Sequence, residues 1–332
     1  MADLKTQIVH SLSDNPWYNL ALEEYLLNQV GKSEVILYLW QNQNTVVIGR
    51  NQNAWKECRC KELEAEGGKL ARRLSGGGAV FHDLGNLNFT FIVDRDLYNL
   101  EKQLEVILEA VRNLGIEAEF SGRNDLLVAG KKFSGNAFYF TADSAYHHGT
   151  ILINTDFKKL VNYLQVSKEK IKAKGIESVP SRVVNLLELK PDLTIGKMKQ
   201  AMEDSFKRLY GGDCEKQELN PTVLEELEDL YEKYSSWEWR YGQTPDFDII
   251  FENRFSWGGI ELGLKLKKGY IKEAVIYSDA MDLALIQEIS SVLVGVPFKI
   301  NDITSSIDRL ATDSTRKEVI KDLKEWLRSK AI

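Results

Sequence analysis

The sequence RRLSGGGAVFHDLGN at residues 72–86 is the stretch that constrains the fold most. Its three successive glycines, Gly76 to Gly78, favour a main chain that turns sharply or approaches another group closely. No Gly-Lys-Ser/Thr follows them, so the run is not a Walker loop. Residues 79–81 (Ala-Val-Phe) then favour a strand, whereas a dinucleotide-binding glycine motif opens a helix. The stretch therefore predicts a glycine-rich loop that enters a β-strand.

The segments on either side of this loop predict a mainly antiparallel sheet. Downstream, residues 87–93 alternate with the period of a strand that has one wholly apolar face. Upstream, apolar runs at 35–40 and 45–48 flank the polar residues 41–44, which predicts a hairpin. Further strands are predicted at 125–129, 132–140 and 146–153, the first two joined by a tight turn at Ala129-Gly130.

Helical patterns lie between and after these strands. Asn15 and Pro16 are typical of a helix start, and apolar stripes of helical period recur at 100–114, 157–164, 195–210, 222–233 and 313–328. Because helices and strands do not alternate as βαβ units, the predicted fold class is α+β. A Gly-Gln-Thr-Pro linker at 242–245 predicts two domains. Residues 1–244 would form a large domain of mainly antiparallel sheets with packed helices, and residues 245–332 a small α+β domain.

Length, charge and cysteine content narrow the class of protein. The 332 residues are enough for one large or two unequal domains. Lys plus Arg number 43 against 49 Asp plus Glu, a net charge of −6 that gives no overall basic field for nucleic acid or anionic lipid. Cys58, Cys60 and Cys214 form neither an even disulfide framework nor a paired metal motif, and we find no signal or membrane-length apolar run. We therefore expect a cytoplasmic protein with reduced thiols that binds neither nucleic acid nor membrane.

The glycine run and the arginines before it are candidates for binding phosphate. Glycine N–H groups without side chains in the way can surround phosphate oxygens, and the Arg72 guanidinium can pair with such oxygens bidentately. The alternative is a surface loop whose arginines are solvated.

A second polar cluster surrounds Asp125 and Lys132. If 132–138 is a strand, Lys132 shares one face with Ser134, and Phe133 points to the core on the other. The Lys132 ammonium could then contact both a phosphate and a carbonyl oxygen, with a solvated hairpin tip as the alternative. Asp125 could hold Mg²⁺ on a triphosphate, with a turn-capping aspartate as the alternative.

Two further segments carry candidate binding groups. His147 and His148 are adjacent on a strand and so face opposite sides, and no cysteine or carboxylate cluster completes a metal site. We expect core packing or a substrate contact for them. The lysine-bearing stretch 168–184, which includes Arg182, predicts a loop that closes over an anionic nucleotide, with a solvated face as the alternative.

Four blocks together resemble the lipoate-protein ligase family, of the bacterial two-domain type. They are RRLSGGGAVFHDLGN at 72–86, GRNDLLVAGKKFSGNA at 122–137, HHGTILIN at 147–154 and KAKGIESVPSRVVNL at 172–186. The likeness continues through WEWRYGQTPDF at 237–247 and RFSWGGIEL at 254–262, so it covers essentially the whole chain. It implies a biotin/lipoate ligase-like fold, with a catalytic domain that binds lipoate and ATP and a C-terminal accessory domain.

The resemblance also implies a reaction and its site residues. Lipoate and ATP would form lipoyl-adenylate with loss of pyrophosphate, and the lipoyl group would pass to a lysine of an acceptor protein. Lys132 would be an electrostatic catalyst that bridges the α-phosphate and the acyl carbonyl, and Asp125 would hold Mg²⁺. ATP and the adenylate would contact Arg72, Gly77, Gly78, Ala79, Val80, Asn124, Asp125, Lys132 and Arg182. Lipoate would contact Ser75, Gly76, His82, Lys132 and His148. At Pro180 relatives often carry arginine, which leaves Arg182 as the candidate cation of that loop.

The acceptors implied are lipoyl domains of 2-oxoacid dehydrogenase complexes or the glycine cleavage H protein, and a monomer is expected. Three alternatives stay open. An acyltransferase of the same fold would use a cysteine thioester and no ATP, but no cysteine lies between residues 61 and 213, and Cys58 lies in a predicted helix start. A biotin-protein ligase would adenylate a different carboxylate. A non-enzymatic sensor would bind a lipoyl domain or an acyl-adenylate without turnover.

Overall fold

The computed structural model of the chain describes residues 4–121, 125–165, 182–211, 214–241, 248–267 and 269–330, without the side chain of Lys56. Contacts divide the chain into two compact units. The first comprises residues 1–48, 54–73 and 79–240, and the second comprises 49–53, 74–78 and 241–332. The predicted linker at 242–245 and the predicted boundary after residue 244 lie outside the described residues. Among the helices that are described, none is long and apolar enough to cross a membrane.

The described residues of the first unit form two sheets. Its strands are β1 (Lys5–Ser11), β2 (Glu34–Trp40), β3 (Thr45–Ile48), β4 (Lys69–Arg72), β5 (Val80–His82), β6 (Asn86–Asp94), β7 (Glu119–Ser121), β8 (Asp125–Val128), β9 (Lys131–Phe140), β10 (Ser144–Leu152) and β11 (Cys214–Leu219). The large sheet has the order β11-β1-β2-β6-β10-β9-β8-β7, and the small sheet has the order β4-β3-β5. Among the pairs of described strands, β1 with β2, β1 with β11, and β3 with β4 run parallel, and the others run antiparallel. The expected mainly antiparallel α+β architecture is therefore confirmed.

The first unit also contains helices, of which some contact the large sheet and others the small sheet. They are α1 (Pro16–Gln29), α2 (Ala54–Glu57), α3 (Cys60–Ala65), α4 (Leu100–Asn113), α5 (Phe157–Tyr163), α6 (Leu186–Leu189), α7 (Ile195–Tyr210), α8 (Glu228–Ser235) and α9 (Trp237–Arg240). The apolar face of β6, which includes Phe89 and Phe91, is fully buried in a core shared with α4 and α7. The predicted apolar strand and the apolar stripe at 100–114 thus form one core. The helix predicted at 222–233 instead begins with two short 3₁₀ turns and becomes α-helical only at α8.

The predicted hairpin of 35–40 with 45–48 is wrong. Strand β2 pairs with β1 and β6 in the large sheet, whereas β3 pairs with β4 and β5 in the small one. One residue of the polar connection between them is held inside the protein: Asn42 is fully buried, accepts a hydrogen bond from Asn19 and donates one to His82. Apolar runs indicate where strands lie, but the partner of each strand depends on contacts that are distant in sequence.

The second unit is a three-stranded antiparallel sheet with helices on one face. Its elements are β12 (Ile249–Phe255), β13 (Gly258–Lys267), β14 (Tyr270–Ser278), α10 (Leu283–Leu293), α11 (Ile300–Asp308) and α12 (Ser314–Arg328). Apolar residues of the sheet and of all three helices form its core. Two loops from the first half of the chain also belong to this unit. The Arg50 amide donates to the Ser75 carbonyl over 2.9 Å, and the Ser278 amide donates to the Asn51 carbonyl over 2.6 Å.

Candidate functional site

A bulge in β9 sets the direction of Lys132. Leu127 of β8 pairs with Lys132 and Leu126 pairs with Ser134, so Phe133 is an extra residue in the ladder. Phe133 is fully buried in the core, as predicted. The prediction that Lys132 shares a face with Ser134 is wrong, because the bulge interrupts the alternation. The Lys132 ammonium instead lies over Gly135, where an added Cβ would be 2.7 Å from Nζ.

Asp125 and the segment after Arg182 lie beside Lys132. The Lys132 ammonium is 2.7 Å from Asp125 Oδ1, and both side chains are about one third exposed, at 34% and 38%. On the other side of the lysine, the Val184 amide donates to the Lys132 carbonyl over 2.9 Å, and Val183 forms a parallel bridge with Lys132. The fold therefore brings Asp125, Lys132 and the backbone next to the half-buried Arg182 together. Asn124, the lysines at 168–174 and Pro180 lie outside the described residues.

The two arginines before the glycines are buried, which excludes the alternative of solvated loop arginines. Arg72 ends β4, and its Nε and Nη2 donate to the carbonyls of Trp239 and Arg240 over 2.8 and 2.9 Å. Arg73 Nη1 donates to the Val47 carbonyl over 3.2 Å. Burial lowers the pKa of Arg73 to about 10. Both guanidinium groups therefore donate hydrogen bonds to main-chain carbonyl oxygens of the first unit.

The glycines of the loop meet different requirements. At Gly76 an added Cβ would be 2.8 Å from the carbonyl oxygen of Ala280, so close packing in the second unit demands glycine there. Gly77 has a φ of +84°, in the left-handed region that glycine tolerates best. At Gly78 an added Cβ would meet no described heavy atom within 4 Å. The fully buried Ser75 belongs to the same unit, whereas Ala79 and Val80 belong to the first, where Val80 of β5 pairs with Val47 of β3.

His148 takes part in a buried hydrogen-bond network on the α1 side of the large sheet. Its Nδ1 lies 2.8 Å from Oε1 of Glu23, which is 1% exposed. The same carboxylate oxygen accepts from Thr90 Oγ1 over 2.7 Å, and Thr90 accepts from the Trp40 indole over 3.0 Å. Sequence reasoning missed Glu23. The available signal was its position on the same helical stripe as the buried Leu20 and Leu27.

His82 and His147 are buried and neutral. His82 Nδ1 lies 3.1 Å from the Asn42 amide, which makes Nδ1 the acceptor and assigns the proton to Nε2. Burial, together with the charges of Arg73 and His148, lowers the pKa of His82 to about 3. His147 lies on the opposite side of β10 from His148, as predicted, between Gln103 and Asn136 at 3.2 and 2.8 Å. Burial lowers the pKa of His147 to about 3 as well.

Neither Cys58 nor Cys214 is arranged as a nucleophile. Cys58 is 1% exposed, and its hydrogen bond with Cys60 together with burial raises the pKa of its thiol. Burial also raises the pKa of Cys214. Thiol attack requires the thiolate, which these environments disfavour.

A metal ion would have few protein ligands here. Within the described parts of the chain, no group of three or more His, Cys, Asp or Glu side chains is placed to hold one. Magnesium bound to a nucleotide keeps waters and phosphate oxygens as its main ligands and needs only one or two carboxylates. Asp125 is a partly exposed carboxylate of the required type, so a nucleotide-borne magnesium ion fits the residues present.

Two family models match successive parts of the chain, and similar proteins match nearly its whole length. The family model "Lipoyl protein ligase A/B catalytic domain" matches residues 15–207, and "Bacterial lipoate protein ligase C-terminus" matches residues 244–327. Lipoate-protein ligase A of Psychrobacter cryohalolentis is 42% identical over 98% of both chains. Plasmodium falciparum LipL1, solved in complex with lipoate, is 32% identical with a TM-score of 0.87 and covers 98% of this chain and 100% of its own.

Two further solved structures match the larger part of the chain. The bipartite lipoate protein ligase of Thermoplasma acidophilum, described with its E2 lipoyl domain, is 27% identical with a TM-score of 0.63. A lipoate-protein ligase A bound with ATP is 25% identical with a TM-score of 0.61. They cover 74% and 72% of this chain, and 100% and 99% of their own.

Proposed function

The chain belongs to the lipoate-protein ligase family, and from this premise we propose that it is an ATP-dependent lipoate-protein ligase. It activates lipoate with ATP to lipoyl-adenylate, and it then transfers the lipoyl group to a lysine of an acceptor protein. The observation that carries this proposal is the likeness to LipL1 in complex with lipoate, at a TM-score of 0.87 over 98% of the chain.

The chemistry requires positive charge at the reacting phosphate and carbonyl. In the first step a lipoate carboxylate oxygen attacks the α-phosphorus, and the bond to pyrophosphate breaks. In the second step a neutral lysine amine attacks the acyl carbon, the C–O bond to AMP breaks, and the amine loses a proton. We assign the Lys132 ammonium to the oxygens that gain charge in both steps. Its position between Asp125 and Gly135 supports this assignment.

The remaining ligand contacts are proposals of the same kind. We assign Arg72, Gly77, Gly78, Ala79, Val80, Asn124, Asp125 and Arg182 to ATP and the adenylate, and Ser75, Gly76, His82 and His148 to lipoate. The space around Gly78 supports a close approach of the nucleotide. The contact of Arg72 with phosphate rests on the motif alone, because two of its donors bind the carbonyls of Trp239 and Arg240. Magnesium held by Asp125 would neutralise phosphate charge.

The acceptor class, the oligomeric state, the cellular compartment and the roles of the two domains are also proposals. Lipoyl domains are the acceptor class, which the E2 lipoyl domain of the archaeal ligase system supports, and 2-oxoacid dehydrogenase complexes and the glycine cleavage H protein are the expected carriers. We propose a monomer that works in the cytoplasm, where its three free cysteines stay reduced. A catalytic domain at 1–244 and an accessory domain at 245–332 are supported by the two compact units and by the two family models.

Mass spectrometry of an apo lipoyl domain tests this function. Incubation with the protein, lipoate, ATP and Mg²⁺ should add one lipoyl amide to the acceptor. Omission of ATP, or an acceptor whose target lysine is arginine, should abolish the addition. Transfer without ATP would establish the acyltransferase instead, and ATP-dependent biotinylation without lipoylation would establish a biotin ligase. Binding of lipoate without pyrophosphate release would indicate a sensor.

A further inference from the structure

The Lys132 ammonium lies in the space that a side chain at Gly135 would occupy. Gly135 follows the bulge in β9, and its φ lies outside the left-handed region, so its backbone conformation does not require glycine. Apart from its chain neighbours, the only described heavy atoms within 4 Å of an added Cβ are Nζ and Cε of Lys132, at 2.7 and 2.8 Å. The space that a side chain would fill at Gly135 is therefore the space that the lysine occupies.

Gly149 on the neighbouring strand β10 differs from Gly135, because close packing alone requires glycine there. An added Cβ there would lie 2.6 Å from both the Gly135 carbonyl oxygen and Cζ of Phe89. Main chain and a core ring cannot move aside, so packing alone demands glycine at Gly149. The end of a lysine side chain can move aside, so packing makes no such demand at Gly135.

The bulge at Phe133 and the carboxylate of Asp125 hold the Lys132 ammonium over Gly135. The extra residue Phe133 turns Lys132 to the face of Gly135. On the adjacent strand Asp125 pairs directly with Gly135, and its carboxylate reaches Nζ over 2.7 Å. A lysine side chain has four rotatable bonds and many rotamers, and an unrestrained ammonium would be spread over all of them. The bulge at Phe133, the open space at Gly135 and the counter-ion Asp125 together restrict the Lys132 ammonium to one position.

We propose that Gly135 is a positioning residue for Lys132: the absence of a side chain at Gly135 places the ammonium where it meets the α-phosphate and the acyl carbonyl. The inference rests on the proposed adenylation of lipoate and adds a residue that acts through the lysine. A methyl group at this position displaces Nζ by about 1 Å or more, and a misplacement of that size costs on the order of 10²-fold in rate. Ground-state binding of ATP and lipoate depends on the wider site and changes far less.

The experiment compares Gly135→Ala with Gly149→Ala, measuring kcat and KM for ATP-dependent lipoylation of an apo lipoyl domain and the thermal unfolding midpoint of each full-length variant. We expect Gly135→Ala to lower kcat about 10²-fold, with KM values within about threefold of the wild type and an unchanged midpoint. Gly149→Ala should lower the midpoint. In a Lys132→Ala background, Gly135→Ala should cause no further loss, since the two changes remove the same interaction.

Each other outcome overturns the inference. A wild-type kcat in Gly135→Ala would show that catalysis does not need the space that the absent side chain at Gly135 leaves for Lys132. A raised KM at unchanged kcat would mean that Gly135 contacts a substrate directly. A midpoint lowered as in Gly149→Ala, with activity lost in proportion, would mean that Gly135 is structural. Failure of the wild type itself to form lipoyl-adenylate would instead reject the proposed function, so the two failures are distinguishable.

Discussion

Arg72 and Trp239 hold each other through two reciprocal hydrogen bonds. The Arg72 Nε donates to the Trp239 carbonyl over 2.8 Å, and the Trp239 indole donates to the Arg72 carbonyl over 2.8 Å. A third bond joins Arg72 Nη2 to the carbonyl of Arg240. An arginine that the motif assigns to phosphate thus also joins the end of β4 to the end of α9.

This arrangement predicts a structural role for the Arg72 side chain. Arg72→Lys should lower the free energy of unfolding by about 1–3 kcal/mol, because an ammonium cannot reproduce the fork of donors and leaves buried carbonyls unpaired. Thermal unfolding without nucleotide measures the effect. Arg112→Lys, at an arginine that is 41% exposed, is the matched control and should change little. An unchanged midpoint together with a raised KM for ATP would mean that Arg72 serves the nucleotide only.

The two neighbouring lysines of β9 should differ in function. Lys132→Ala should slow lipoyl-adenylate formation by about 10²–10³, the usual cost of removing a preorganised donor. Lys131 is exposed, and Lys131→Ala should keep nearly wild-type activity. Pyrophosphate release with lipoate and ATP measures both. Equal losses in the two variants would contradict the assignment of the catalytic ammonium to Lys132.

The period of the apolar residues was enough to predict most elements. It located β6, α4, α7 and α12 closely, and the pair Ala129-Gly130 correctly marked the turn before β9, where φ is +49° and +74°. The residue types of the glycine and lysine blocks were enough to indicate phosphate and acyl chemistry. These signals are local, and a single sequence contains them in full.

Features that depend on pairing between strands could not be predicted in this way. The extra residue Phe133 is defined by the register of β9 against β8, so alternation alone assigned Lys132 to the wrong face. Strands β2 and β3 lie in different sheets, and Asn42 between them contacts Asn19 and His82, which are distant in sequence. The contact of Glu23 with His148 likewise joins residues that are far apart along the chain.

The raised pKa of Cys58 predicts a thiol that takes no part in the reaction. Cys58→Ser should keep ATP-dependent lipoylation, because the buried thiol supplies no thiolate at neutral pH. Mass spectrometry of the acceptor with and without ATP measures this. Cys60→Ser, at the hydrogen-bonded neighbour, is the matched control. Loss of an ATP-independent transfer in Cys58→Ser alone would establish the thioester mechanism instead.

Two buried histidines predict how stability depends on pH. The pKa values of His82 and His147 are lowered to about 3, whereas an unfolded histidine titrates near pH 6.5. Below pH 6.5 the unfolded chain therefore binds more protons, and the free energy of unfolding falls by about 1.4 kcal/mol per pH unit for each histidine, down to about pH 3. Above pH 6.5 neither histidine contributes a slope.

Urea unfolding between pH 7 and pH 5 tests this. His147→Gln should remove about one proton from the pH slope, whatever its effect on absolute stability, and His82→Gln should do the same. The double variant should remove both contributions. An unchanged slope in the single variants would mean that these histidines are protonated in the folded protein.

Gly76 and Gly78 should respond differently to the same substitution. Gly76→Ala places a methyl group 2.8 Å from the Ala280 carbonyl oxygen and should cost about 1–3 kcal/mol of stability. Gly78→Ala meets no described heavy atom within 4 Å and should leave the unfolding midpoint unchanged. If the nucleotide approaches the main chain at Gly78, the methyl group should raise the KM for ATP at least about tenfold, or about 1.4 kcal/mol of binding.

Thermal unfolding and ATP titration of the two variants therefore separate packing from ligand approach within one loop. Gly76→Ala should lose stability with little change in nucleotide affinity, and Gly78→Ala should lose nucleotide affinity with little change in stability. A normal KM in a stable Gly78→Ala protein would show that the nucleotide does not approach this residue, and its phosphates would then have to be bound elsewhere in the chain.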